Sequence, residues 1–319
     1  MIDNGLLMHY PQLASKKGFL KTRSLDFKKM STQKCDVAKS YFYKDSRYWF
    51  KYENKSEIAS QVMLGQLYKQ NGLNSAIYLP GSDGRNRRVS ISNDIVSCHN
   101  MGGNKFFRKL YERYPKDVVD GELIKHDAQQ RFLGSIARSG KETRSHNIIL
   151  DKLVTSPSLK DFSKMQDIED FDFVSFFTKD GMRDFIKMHL FDTASMNIDR
   201  NSSNFYFEFD SAGKICGITT IDHSMSEESI LYDLPESALY INFLGPNSEV
   251  SREEMLFELR ENETVQHFMP RQEMAEILGN VNVGQVASDI TDTIGYKFDN
   301  RFKNGLAKSF DDLANDLAK

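Results

Sequence analysis

The feature that most constrains this chain is the run from Leu190 to Ser224, LFDTASMNIDRNSSNFYFEFDSAGKICGITTIDHS. Asp199 is followed by four residues and then Asn204. Two apolar runs come next, Phe205–Phe209 and Ile215–Ile221, and the second ends at Asp222. The residues between them, Asp210-Ser-Ala-Gly213-Lys, have turn chemistry, so the runs read as a hairpin. A short loop supplies one carboxylate and one amide, and the hairpin returns a second carboxylate beside them.

Phosphoryl transfer needs such a set. Its transition state is mostly displaced charge, so hard oxygen ligands for Mg²⁺ and a positioned nucleophile carry much of the catalysis. In a D-x-x-x-x-N loop of this kind the Asp orients the attacking hydroxyl and the Asn holds a metal. A later Asp holds metal against the ATP phosphates. The longer pattern Asp192, Asn197, Asp199, Arg200 and Asn204 resembles the catalytic loop of the HipA-like and CtkA-like bacterial Ser/Thr kinases, themselves similar to phosphatidylinositol 3-/4-kinases. Asn201 stands where that family usually has His.

The resemblance implies an α+β, two-lobed protein kinase-like fold. Residues 1–97 would form an N-lobe with a small antiparallel sheet and one helix, and residues 98–319 a mainly helical C-lobe. It also implies ATP and Mg²⁺ as cofactors, Asp199 as catalytic Asp, Asn204 and Asp222 as metal ligands, and Arg200 steadying the loop or the transferred phosphate. A protein is the implied acceptor, possibly the chain itself. A catalytically weak or inactive kinase-fold regulatory protein, and transfer to a lipid or small molecule, remain alternatives. Nucleotidyl transfer and metal-dependent hydrolysis are more distant ones.

The earlier part of the chain has an order that fits. Ser40–Lys44 and Arg47–Tyr52 read as aromatic-rich strands about a short turn. Lys51 alternates with Phe50 and Tyr52, so it points to the opposite face, in the place of a lysine that contacts ATP phosphates. Glu57–Asn71 reads as a helix stopped by Gly72. Gln61 falls where the family's helix carries the Glu that braces this lysine, and Glu57, one turn earlier, is the substitute. Ile77–Leu79 and Arg88–Ser92 read as further strands. Asn93–Ser97 then takes the place of a hinge, with Asp94 and Ile95 as adenine-contacting positions and Ile221 facing them. No G-x-G-x-x-G occurs; Lys16–Ser24 is the candidate phosphate-covering loop. Gly134–Thr143 falls short of a P-loop, with five residues between its glycines and Glu142 where Ser or Thr would bind metal.

Asn104–Tyr114, Gly121–Arg138, His146–Leu153 and Asp184–Met196 have helical patterning. Thr155–Ser158 and Gln166–Asp172 read as loops. His189 reads as an ordinary interior or surface histidine, and His223, lacking ligand partners, is a poor zinc candidate. Ser251 and Glu254 form a capping box, and Pro270 and Gly279 bound another helix. Val286, Ile290, Ile294, Phe298 and Phe302 repeat every four residues, as in one packed helix.

Composition narrows the class. A chain of 319 residues with 39% hydrophobic and 12% aromatic residues can bury a large core. A net charge of −3 argues against nucleic acid as the main partner. Cys35, Cys98 and Cys216 have no metal spacing and point to a reducing compartment. No apolar run is long enough to span a membrane, and the first residues lack a signal-peptide pattern. A cytoplasmic protein is expected, with delivery as an effector by a route lacking a cleaved signal left open.

Overall fold

The computed structural model describes residues 18–22, 25, 28–29, 38–43, 46–83, 85–97, 99–113, 173–224, 226–232, 239–241 and 248–319. The two helical stretches expected within 121–153, the loops expected at 155–158 and 166–172, and the P-loop-like 134–143 lie outside them.

Among the described residues, seven strands and one helix occupy the first part. They are β1 (Leu20–Lys21), β2 (Lys28–Lys29), β3 (Ala38–Tyr43), β4 (Ser46–Tyr52), α1 (Lys55–Gln70), β5 (Asn74–Ser75), β6 (Tyr78–Ser82) and β7 (Arg88–Asn93). Six of the strands form one sheet in the order β1-β6-β7-β4-β3-β2. The β3–β4 and β4–β7 pairs are antiparallel, but β1 joins β6 in parallel, so the sheet is mixed rather than purely antiparallel. Tyr48 and Phe50 of β4 are buried on one face. Lys51 lies on the other, with Ser90 opposite it in β7.

The Asn54 side chain and Glu57 close a reciprocal capping box at the start of α1. The helix ends at Asn71, with Gly72 in the left-handed region (φ 76°). Every residue from Ile58 to Tyr68 is buried, which is what a helix wedged between layers requires. Gly65 permits that wedging, since a Cβ there would lie 2.5 Å from the Ala76 carbonyl.

A second sheet, β5-β10-β9-β8, is built on the hairpin of β9 (Phe205–Phe209) and β10 (Ile215–Thr220), with β8 (Asn100–Gly102) on one side. On its other side β5, which directly follows α1, pairs in parallel with β10 and so ties the two sheets together. Asp210 accepts the amides of Ala212 and Lys214 across the hairpin turn. Helix α2 (Gly103–Arg113), the 3₁₀ turn Phe173–Phe176 and helix α3 (Lys179–Ser195) pack behind the hairpin, where Phe106, Phe107, Phe185, Phe205 and Phe207 form one aromatic cluster.

Past the hairpin come α4 (Ser226–Tyr232), the pair β11 (Leu239–Ile241) and β12 (Ser248–Val250), and helices α5 (Arg252–Glu261), α6 (Glu263–Phe268), α7 (Arg271–Gly279), α8 (Val283–Ile294) and α9 (Asn300–Ala318). The Ser251–Glu254 capping box opens α5, and α7 runs from just after Pro270 to Gly279. The four-residue repeat is not one helix. Gly295, at φ 71°, caps α8, and Asp299 starts α9. Both helices bury their share of the repeat in one core, so the period survives the break. No helix among the described residues is long and apolar enough to cross a membrane.

Candidate active site

Helix α3 delivers the loop. It ends at Met196, a left-handed C-cap (φ 53°), and the chain turns into Asn197–Asn204. Asp192 braces this turn from inside the helix: its Oδ1 accepts from Asn197 Nδ2 (2.9 Å) and the Tyr68 hydroxyl (2.8 Å), and its Oδ2 accepts from Arg200 Nε (2.9 Å). Arg200 is fully buried. It also donates to the carbonyls of Asn204 and Ile221 and to His223 Nδ1. Of the two roles expected for Arg200, only the steadying of the loop fits these contacts, because a side chain enclosed in this way does not reach a transferred phosphate.

With the loop fixed, Asn204 Nδ2 donates to the Asp199 carbonyl (2.6 Å) and to its Oδ2 (3.2 Å), and Asn204 Oδ1 is the side chain's acceptor. Asn201, where the resembled family has His, donates to Asp199 Oδ1 at 2.9 Å and so supplies the supporting bond itself. Burial first, and then the neighbouring Asp222 charge, raise the Asp199 carboxyl above the usual range.

Asp222, at the end of β10, has φ 55°. A non-glycine residue held there costs on the order of 1–3 kcal/mol and persists only where its surroundings enforce it. Here the Tyr78 hydroxyl accepts the Asp222 amide (2.9 Å) and Gln61 Oε1 accepts the His223 amide (2.9 Å). The Asp222 carboxylate receives Lys51 Nζ on both oxygens, at 2.7 and 2.8 Å, and Gln61 Nε2 at 2.8 Å. Burial alone would raise its pKa, but the Lys51 ammonium reverses the sign and holds it below the ordinary value. Lys51 shows the converse: burial would depress it, but Asp222 and Glu53 outweigh that and raise it.

Glu53 is the residue that sequence reasoning missed. Its Oε1 lies 3.0 Å from Lys51 Nζ and accepts from Gln61 Nε2 at 3.0 Å, and its side chain is 1% exposed. Gln61 does not brace Lys51; it links α1 to Glu53, Asp222 and the His223 amide. Glu57 is not the substitute either, because its carboxylate is engaged in the α1 capping box. The only signal in the sequence was a carboxylate two residues beyond Lys51, just before the helix N-cap.

His223 is fully buried beside the rings of Tyr68 and Tyr78. Burial, then the Arg200 and Lys51 charges, hold its pKa well below the ordinary value. It is a neutral structural group. His189 is likewise buried, against Phe185.

The expected adenine-side positions are partly engaged within the protein. Asp94 takes Arg47 in an ion pair (3.1 Å) and Trp49 Nε1 in a hydrogen bond (3.2 Å), and its amide donates to the Arg47 carbonyl. The Ile95 carbonyl accepts from Asn100 Nδ2. The Ile221 amide donates to Asn204. Ile95 and Ile221 are half-buried. The described part of the expected phosphate-covering loop lies elsewhere: Leu20–Lys21 extends the sheet edge beyond β6, and Gly18 rests on the Tyr296 backbone. The segment joining β2 to β3 lies outside the described residues.

Asn204 Oδ1 and the Asp222 carboxylate are hard oxygen donors on adjoining backbone, since the Ile221 amide bonds the Asn204 carbonyl. No group of three or more His, Cys, Asp or Glu among the described residues could hold a metal alone. Two protein oxygens therefore fit an ion that keeps waters and phosphate oxygens as its remaining ligands, as Mg²⁺ does.

No family model matches this chain, and neither does any curated protein. Among solved structures it is similar to the proinflammatory kinase CtkA of Helicobacter pylori, at 15% identity and a TM-score of 0.54, over 94% of this chain and 99% of that one. It also matches HipA of the toxin–antitoxin system of Shewanella oneidensis MR-1, at 12% identity and a TM-score of 0.42, over 91% of this chain and 65% of that one. The fold assignment rests on the first of these. The chain has an α+β, two-lobed kinase-like fold, and the resemblance to CtkA-like kinases read from its catalytic loop is found again in its architecture.

Proposed function

We propose that this protein is an ATP- and Mg²⁺-dependent phosphotransferase that phosphorylates Ser or Thr of a protein. The observation that carries this reading is the convergence of Lys51, from a sheet strand, on Asp222, 171 residues later, within 2.8 Å. Asp199 and Asn204 stand beside that pair. A lysine set against a metal-type carboxylate, an amide oxygen and a separate carboxylate has the donors that nucleotide phosphates, a divalent ion and an acceptor hydroxyl each require.

In this reading residues 1–97 cover the nucleotide and residues 98–319 carry the catalytic loop and hairpin. Lys51 contacts the phosphates, and Asp94, Ile95 and Ile221 border the base. Asn204 and Asp222 hold Mg²⁺, which neutralises charge on the phosphates when bound. Asp199 orients the acceptor hydroxyl and takes its proton; its raised pKa brings it closer to the range a general base needs. Arg200 and Gln61 hold the loop and the Asp222 peptide in register. Protein as acceptor follows from the likeness to CtkA-type kinases, and small-molecule and lipid acceptors are its competitors. A cytoplasmic site of action fits the uneven, scattered cysteines.

A binding-only role would rest on the neutral Gln61, on Asn201 in place of His and on the missing glycine-rich loop. Glu53 supplies the missing charge beside Lys51, which favours transfer. The test is incubation with Mg²⁺ and ATP labelled at the γ-phosphate or, in parallel, at the α-phosphate, alone and with a generic protein acceptor, beside Asp199→Ala and Asp222→Ala. Label on Ser or Thr that disappears in both variants supports the reading. Nucleotide binding without transfer, or label arriving only from the α-phosphate, refutes it.

A further inference from the structure

We infer that Glu53 is the positioning residue for Lys51, and that it keeps the lysine in place when Asp222 turns to a metal. The inference rests on the phosphotransferase reading and adds to it an anchor within the strand, in place of one on the helix.

Among the described residues Lys51 Nζ has two carboxylate partners, Asp222 at 2.7 Å and Glu53 at 3.0 Å. They differ in what they are free to do. The Asp222 side chain is 23% exposed and is a hard oxygen donor at the cleft, so it has another ligand to take. Glu53 is 1% exposed and tied to Gln61, so its carboxylate has nowhere else to go. Without it, Lys51 would lose its last anionic partner as Asp222 reoriented. A half-buried ammonium with no fixed partner samples many rotamers, and that lost order opposes phosphate contact.

The second consequence concerns α1. In the usual arrangement a helix carboxylate pairs with the strand lysine, so moving the helix breaks the pair. Here the pair lies within one strand end, Lys51 to Glu53. The helix instead touches the metal side, through Gln61 to the Asp222 carboxylate and the His223 amide. Displacing α1 therefore disturbs Asp222 directly and Lys51 only through the Gln61–Glu53 bond.

The test is the affinity for ATP measured by calorimetric titration of the full chain with and without Mg²⁺. The quantity read is the ratio of the two dissociation constants. Free ATP is more anionic than its Mg²⁺ complex, so the ratio also responds to net charge, and Glu57→Gln, which removes the same charge within α1, is the control for that. Loss of folded protein lowers stoichiometry and leaves the ratio unaltered. Glu53→Gln retains the acceptor for Gln61 and removes only the charge. It is expected to cut the Mg²⁺-induced gain in affinity about ten-fold, with Glu53→Asp restoring part of it. Glu57→Gln, at the helix cap, is expected to leave the ratio within two-fold. An unchanged ratio in Glu53→Gln, with wild type binding ATP normally, overturns the inference and leaves the phosphotransferase reading standing. A wild-type chain that binds no ATP under either condition overturns both.

Discussion

Arg200 and His223 fix each other: Arg200 Nη2 lies 2.8 Å from His223 Nδ1, and both side chains are fully buried. Arginine can only donate, so Nδ1 must accept, and the imidazole proton sits on Nε2. That proton points to Ser75 Oγ, 2.9 Å away. Ser75 belongs to β5, the short strand paired with β10 of the hairpin. One chain of bonds therefore runs from Asp192 in α3, through Arg200 in the loop and His223 after the hairpin, to the strand that ties the sheets together.

Replacing Arg200 tests that chain. Arg200→Met keeps much of the volume but leaves Asp192 charged in the interior and removes the donors to two backbone carbonyls. Breaking a buried pair from one side costs about 3–5 kcal/mol. Urea denaturation should show a loss of that size with an unchanged slope. A loss under about 1 kcal/mol, within the range of an ordinary surface substitution, would mean Arg200 is not the centre of the network.

The two carboxylates proposed to act in transfer, Asp199 and Asp222, should separate kinetically. Asp199→Asn is expected to preserve ATP binding and lower transfer about 10²–10⁴-fold, the usual contribution of a positioned base. Asp222→Asn should lose most of the Mg²⁺-dependent part of ATP binding along with transfer. Parallel calorimetry and single-turnover assays distinguish them. Identical binding defects in the two variants would contradict separate roles for the loop and the hairpin.

Stability should fall as the solution becomes more alkaline, and Glu227 is one source. Burial raises its pKa from 4.5 to about 7, only partly offset by Lys55, and its Oε2 has no hydrogen-bond partner among the described residues. Between those two values the folded chain keeps a proton that the unfolded chain has released. The stabilisation is therefore complete below about pH 4.5 and is lost as pH rises through 7. Glu227→Gln mimics the neutral form. It should match wild type near pH 4.5 and exceed it at pH 8 by about 1–2 kcal/mol after discounting for solvent screening. Thermal melts across that range give the comparison, and parallel curves for the two proteins would count against the assignment.

Much of the site was legible because its parts are local. The hairpin strands are bounded by turn residues, and Phe205–Phe209 is found with the ends its alternation implies. The Ser251 capping box and the α3 core positions Phe185, Met188 and Phe191 are local patterns too. What escaped depends on distant packing. Glu53 looks like a pre-helix surface residue until α1 and the cleft close over it. The parallel β1–β6 pair joins residues 61 positions apart, Leu20 with Gly81. The α8–α9 break carried a signal in Gly295, which the unbroken apolar period masked, because both helices face one core.

Gly181 supplies a test in which two effects oppose. Near the start of α3, alanine should be the better helix former by about 1 kcal/mol. But a Cβ on Gly181 would lie 2.0 Å from the Ile215 carbonyl, the first residue of β10. Backbone on both sides leaves no flexible atom to yield, and overpacking of this kind costs about 1–3 kcal/mol. Sterics should win, so Gly181→Ala is expected to destabilise. Gly279→Ala, at the end of α7 with nothing within 4 Å of its Cβ, should be neutral or slightly stabilising. Differential scanning calorimetry of the pair gives opposite shifts if α3 is pressed against β10. That contact sets the distance between the helix that delivers Asp199 and the strand that leads to Asp222. A stabilising Gly181→Ala would mean that the helix and hairpin are held in register from the Arg200 end alone.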